Sequence, residues 1–349
     1  MTTTRWAARA AVVGVAAVLL GGLAQPVVAE VLMVSPQSGS MQIYRMDDDG
    51  AHSQALTQGP RDNTNALWSP NGQRIAFVSS RTGTPQVMVM NADGSEQRAV
   101  SALGAYANLP VWSPDSRQLV FPVMRPDRHE LVLADLETGV QRSLWTASTE
   151  TSKIAWSPDG QQLLYGMTTA NRGESDLHVL DLVSGARRLL VAGKGAVLSL
   201  PVWSPDGQWI AYSRAAGKDG INIHLTSRDG ASTRQLTQGN LMSANPVWSP
   251  DGRWVAYESN AHTGERMDVF VQALAGGEPR NLSQHPHEDF EPAWAPDSQS
   301  LWFVSYRTGL SQIYRATLAG EVSLVSREAS YQGHPMPRPE PPVRAARAP

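Results

Sequence analysis

Trp248-Ser249-Pro250-Asp251-Gly252 is written, with small changes, six times along this chain. The other copies start at Trp68, Trp112, Trp156, Trp203 and Trp294, so successive tryptophans stand 44, 44, 47, 45 and 46 residues apart. A period in this range identifies a repeat architecture, in which each unit buries its faces against its neighbours. The phrase itself reads as a tight reversal. Pro fixes φ, Asp bonds its own backbone, and Gly tolerates positive φ.

Short apolar runs flank the turn on both sides, as in Asn245-Pro246-Val247-Trp248 and Trp254-Val255-Ala256-Tyr257. Seven residues after each Trp stand Ile75, Leu119, Leu163, Ile210, Val255 and Leu301; nine after stand Phe77, Phe121, Tyr165, Tyr212, Tyr257 and Phe303. Alternation at period two places both sets on a buried strand face. Two further strand-like runs follow in each unit, for example Ile221–Leu225 and Thr233–Leu236, parted by the turn Ser227-Arg228-Asp229-Gly230. No stretch after the first 30 residues has helical periodicity. Four short antiparallel strands per repeat make the blade of an all-β propeller.

The turn glycines between third and fourth strands count the blades independently. They are Gly50, Gly94, Gly139, Gly185, Gly230, Gly276 and Gly320, seven in all against six Trp turns. The extra unit lies at the start, where Met33-Val34-Ser35 and Gln42-Ile43-Tyr44-Arg45 mirror Phe303-Val304-Ser305 and Gln312-Ile313-Tyr314-Arg315. That unit lacks a first strand, and Tyr331–Pro337 offers one through the match of Pro335 with Pro246. The expectation is seven blades, with one strand from the C-terminal end closing three from the N-terminal end. Six blades with an extra edge hairpin is the alternative.

Residues 1–29 are expected to be a Sec-type secretory signal peptide. Arg5 and Arg9 precede an apolar run from Ala10 to Leu23, and Val27-Val28-Ala29 supplies small residues for cleavage. The propeller is expected over residues 30–337 and a Pro/Arg-rich disordered tail over 338–349. With no Cys anywhere, lipid attachment at a cysteine and disulfide bracing are both excluded. Taking Arg5 and Arg9 from the 29 basic residues leaves 27 against 32 acidic ones, a formal charge of −5. Such a chain has no global attraction for nucleic acid. The expected mature protein is a periplasmic or secreted monomer with no membrane span.

The repeats resemble those of the TolB-type propellers. Asn245-Pro246-Val247-Trp248-Ser249-Pro250-Asp251-Gly252 and Trp68-Ser69-Pro70-Asn71-Gly72-Gln73-Arg74-Ile75-Ala76-Phe77 carry the likeness, which spans nearly the whole expected mature chain. The resemblance implies the fold, and the chain looks like a stand-alone TolB-like propeller without the α/β domain that precedes the propeller in TolB. It implies little about chemistry, because such propellers serve binding proteins, lyases and peptidase gates alike.

Catalytic signatures are missing. There is no Gly-x-Ser-x-Gly elbow, and His129-Glu130 is followed by Leu133 where the zinc-helix motif needs a second histidine. Propeller ligands normally sit on the face opposite the Trp turns, where the loops carry Arg81, Arg125, Arg128, Arg172, Arg214, Lys218, Arg266 and Arg307. Asp127, Glu174, Asp176, Asp219 and Glu265 only partly balance them, so a basic face for an acidic ligand or an envelope protein is one expectation; ordinary solvated loop charge is the other. Asn65 and Asn245 enter the channel mouth. His285, His287, Asp289 and Glu291 form the one local cluster able to suggest a divalent metal. No other cofactor is expected. The leading function is a non-enzymatic protein-interaction scaffold of the cell envelope. A metal-assisted lyase or hydrolase of an acidic glycan, or a glycan binder, is the alternative.

Overall fold

The computed structural model describes residues 30–102, 104–147, 151–169, 173–239, 241–326 and 332–340. The expected signal peptide lies outside them. Seven antiparallel sheets stand around one axis, and successive sheets pack face to face. In the first sheet Gly333–Pro337 is the inner strand, followed outward by Glu30–Ser35, Gln42–Asp47 and Gln54–Ala55. Val31 faces Pro337 and Leu32 faces Met336. This is the seven-bladed ring with the split first blade, and it leaves that blade no open inner edge. The inner strands of the next six blades end at Trp68, Trp112, Trp156, Trp203, Trp248 and Trp294.

The residues seven and nine positions beyond each Trp are all at most 2 % exposed. Burial goes further than the alternation implied. Residues between them, including Ala76, Leu164, Ala211, Ala256 and Trp302, are also 0–1 % exposed. Each second strand is sandwiched by two neighbouring blades, so both of its faces are core, as in other sheets covered on both sides.

The repeated phrase has two structural jobs. Within the turn, Ser249 Oγ donates to Asp251 Oδ1 (2.6 Å) and accepts from the Trp254 amide (3.0 Å), while the same Oδ1 accepts from the Arg253 amide (3.0 Å). Gly252 completes the reversal at φ 70°. In two copies Ser takes the glycine's place at positive φ, Ser116 at 63° and Ser298 at 58°. There the hydroxyl accepts an amide from the preceding blade, Asn71 N (3.1 Å) and Asp251 N (3.0 Å) respectively, which offsets the backbone strain.

Between blades, the indole acts as a latch. Trp68, Trp112, Trp156, Trp248 and Trp294 each donate Nε1–H to an inner-strand carbonyl of the preceding blade, at 3.1–3.3 Å. Trp203 Nε1 is buried with no acceptor among the described residues. This contrast isolates the bond. Trp248→Phe is expected to lower stability by about 1 kcal/mol more than Trp203→Phe, since both lose the same ring volume and only one loses a hydrogen bond. Paired thermal melts check it.

The residue that follows the closing strand makes contacts of its own. Arg338 donates to Gly72 O (2.7 and 3.0 Å), pairs with Glu30, and lies over the Trp68 ring at 5.0 Å. The residue after the closing strand therefore bolts the split blade to the next one.

Candidate functional site at the central channel

The inner strands of most blades carry an irregularity three residues before the Trp. Strand register shifts between Thr64 and Leu67, Ser199 and Val202, Ala244 and Val247, and Phe290 and Ala293. Within each shift a non-glycine residue adopts positive φ: Asn65 at 51°, Leu200 at 52°, Asn245 at 57° and Glu291 at 56°. Leu109 at 43° and His334 at 55° hold the equivalent places in two further blades. Lys153 occupies that place in the fourth blade, where register also shifts between Thr151 and Ile154. Asn tolerates this backbone readily, but Leu, Glu and His adopt it at a cost. Strain repeated around one axis is the kind of outlier that points to a site.

Four of these side chains, Lys153, Asn245, Glu291 and His334, line one cavity of about 640 Å³. It runs down the channel past Val247, Ala293 and Met336 to the prolines of the motif turns. This hollow thus reaches the Trp-turn end of the ring, the end that sequence reasoning set aside as structural.

Its polar end is a connected network. Glu258 Oε1 accepts from Asn245 Nδ2 (2.9 Å) and from the Glu291 amide (2.8 Å). Glu291 in turn accepts the His334 amide at Oε2 (2.7 Å), and its Oε1 lies 3.1 Å from His334 Nδ1. Burial raises the Glu258 carboxyl above its usual range; the two hydrogen bonds oppose this and the Glu291 charge adds to it. Burial lowers the Lys153 ammonium, against the attraction of Glu258. Protein encloses Lys153, yet its side chain stays open to the channel solvent.

The loop residues fare differently. Arg307 Nε donates to Ser305 Oγ (2.8 Å) and its Nη2 to Asp289 Oδ1 (3.2 Å), while the guanidinium covers Phe303 and Tyr314. Arg81 repeats the fold-back on Ser79 Oγ (2.8 Å) and Asn63 Oδ1 (3.2 Å). Arg125 and Arg128 pair with Glu130 (3.1 and 2.8 Å). Four arginines of the expected basic face are therefore matched within their own blades. Arg214 is half-buried beside Tyr212 and His224. Arg266 donates to Pro286 O at an outer cleft shared with His262 and His285. Arg172 lies outside the described residues.

The suggested metal quartet does not converge in this structure. His285 and His287 stack on each other (5.4 Å) before the strand begins. Asp289 is 0 % exposed and turned into the blade toward Arg307; the bulge sends Glu291 to the channel instead. Among the described residues no group of three or more His, Asp or Glu is placed to hold a metal ion. Sequence reasoning missed Lys153 and Glu258. Comparing copies at a fixed offset finds them: ten residues after Trp the other units carry Val78, Pro122, Gly166, Ser213 and Val304 and only Glu258 carries a charge, while three residues before Trp only Lys153 is a cation among Asn65, Leu109, Leu200, Asn245 and Glu291.

No curated protein matches the chain in sequence. Among solved structures it is similar to TolB from Acinetobacter baumannii (17 % identity, 86 % of this chain and 79 % of that one, TM-score 0.58). It is also similar to an oligogalacturonate lyase in complex with manganese (18 %, 83 % and 86 %, TM-score 0.72) and to a puromycin hydrolase (16 %, 86 % and 52 %, TM-score 0.69). At these identities the likeness is one of fold. A family model described as the TolB beta propeller domain matches residues 8–174 and 155–267. Its match across most of the chain agrees with the seven four-stranded blades and the repeated Trp turns: the chain belongs to the TolB beta propeller domain family.

Proposed function

We propose that this propeller is a non-enzymatic docking module that, after export to the periplasm, holds another envelope protein on its loop-bearing face. One observation carries the reading. Tyr106 and Met124, each 38 % exposed, are cross-strand partners at the loop end of the third blade. Arg125, Arg128 and Asp127 rim them. Exposed Tyr and Met with an Arg rim is the composition of an interface centre, and rigid blades present it without an ordering cost. The rival reading, a metal-assisted lyase or hydrolase of acidic glycan, loses its ligand set with the separation of His285, His287, Asp289 and Glu291.

A photoreactive residue at Met124 is expected to give discrete protein adducts in the intact envelope, and Tyr106→Ser to weaken them. The same residue at Val183, 89 % exposed on a turn at the opposite end, is expected to give none. Equal labelling from both positions would overturn the docking role.

A further inference from the structure

We propose that the central channel binds a small organic monocarboxylate with an apolar body, its carboxylate held by the Lys153 ammonium. The proposal is independent of the loop-face reading. It starts from an imbalance among four of the polar side chains that line the cavity. Asn245 is spent on Glu258, and both Glu291 oxygens are spent on His334. Lys153 makes no hydrogen bond or ion pair among the described residues. Open to the channel solvent and without a hydrogen-bonded protein partner, the ammonium is free to take an anion delivered through the channel. At the polar ring a cationic ligand finds less to bind, because Glu291 is engaged by His334 at both oxygens and Glu258 already accepts two bonds at Oε1.

The rest of the cavity selects the body of the ligand. Beyond the polar ring the lining is Val247, Ala293, Met336, Pro250 and Pro296. These side chains offer no hydroxyl or amide, so a sugar would enter at the loss of its hydrogen bonds to water, whereas a hydrocarbon gains by leaving water. Glu340 stands at the far mouth, and its carboxylate disfavours a second negative charge there. A volume of about 640 Å³ falls within the range of small-molecule sites.

Calorimetry of the purified protein with hexanoate, hexanol and hexylamine tests the assignment. Hexanoate is expected to bind at least about tenfold more tightly than either neutral or cationic analogue, the scale of one charge-assisted hydrogen bond. Lys153→Met is expected to weaken hexanoate about tenfold or more and to leave hexanol unchanged. Ala293→Phe plugs the channel without touching the ammonium and is expected to abolish hexanoate binding; it decides the matter if the Lys153 variant fails to fold. Hexanoate binding undiminished in a folded Lys153→Met variant, binding that survives Ala293→Phe, equal affinity for hexanoate and hexanol, or no hexanoate binding into the millimolar range would each overturn the proposal.

Discussion

A chain ending at Ser326 is expected to lose the cooperative melt of the intact protein. The cut removes Gly333–Pro337, the inner strand of the first blade, and with it the pairing of Val31 with Pro337 and Leu32 with Met336. Leu32, Met33 and Val34 are at most 1 % exposed in the closed ring and would border open edge or solvent. The Trp68 latch loses its acceptor on Met336, and the Arg338 bolt to Gly72 and Glu30 goes as well. Lost ladder bonds and uncovered apolar surface together amount to a destabilisation on the order of 5 kcal/mol, a large part of a typical domain's total. The readout is a fall in Tm of roughly 10 °C or outright aggregation through the bared strand. A synthetic peptide spanning residues 331–340 is expected to restore part of the loss by adding back the missing strand. An unchanged melt would remove the closing role from that strand.

The second large effect concerns Arg307. Its guanidinium is the countercharge of Asp289, with side-chain exposures of 14 and 0 %. Arg307→Ala leaves a carboxylate in the blade interior without that partner, and breaking such a pair costs about 3–5 kcal/mol. Arg81 is the internal control. It makes the same fold-back, but onto the neutral Asn63, so Arg81→Ala is expected to cost no more than about 1 kcal/mol.

The pH dependence separates the two further. Burial raises the Asp289 carboxyl above its ordinary value, against the hydrogen bond from Ser305 and the Arg307 charge. A raised carboxyl means that the folded state holds the proton more tightly than the unfolded one. Its contribution to stability is therefore present below the unfolded value and lost as pH rises through the folded one. Without Arg307 that loss deepens. The deficit of Arg307→Ala relative to the parent is expected to be greatest at neutral pH and to shrink as pH falls and Asp289 takes up its proton. Melts across the acid range check this, and a deficit independent of pH would contradict it.

The fold was legible because the repeat writes its constraints at fixed offsets. Ile75 and Phe77 with their five counterparts mark the strand that two blades cover, and the match of Met33 and Gln42 to Phe303 and Gln312 exposes the divided blade. The site was less legible for two physical reasons. First, loop charges look free in a sequence, but Arg81 and Arg307 bend back onto Asn63 and Asp289, partners 18 residues earlier that only blade geometry brings near. Second, the alternation rule fails where a bulge inserts a residue, so Glu291 points to the axis while Asp289, two positions earlier, points into the blade. Lys153 and Glu258 were visible in principle. They depart from their own repeat, and departure from a repeat is a signal that loop composition does not carry.

The divided first blade also orders events in time. Val31 and Pro337 lie 306 residues apart, so the contact that finishes the ring is among the longest-range contacts in the molecule. Nothing nearer in the chain substitutes for it. While the polypeptide emerges, Glu30–Ser35 waits as a bare, sticky edge until the last strand arrives, and contacts of such separation form slowly. The seam that shuts the ring is thus both the last stitch made during maturation and the place where the finished molecule would first come undone.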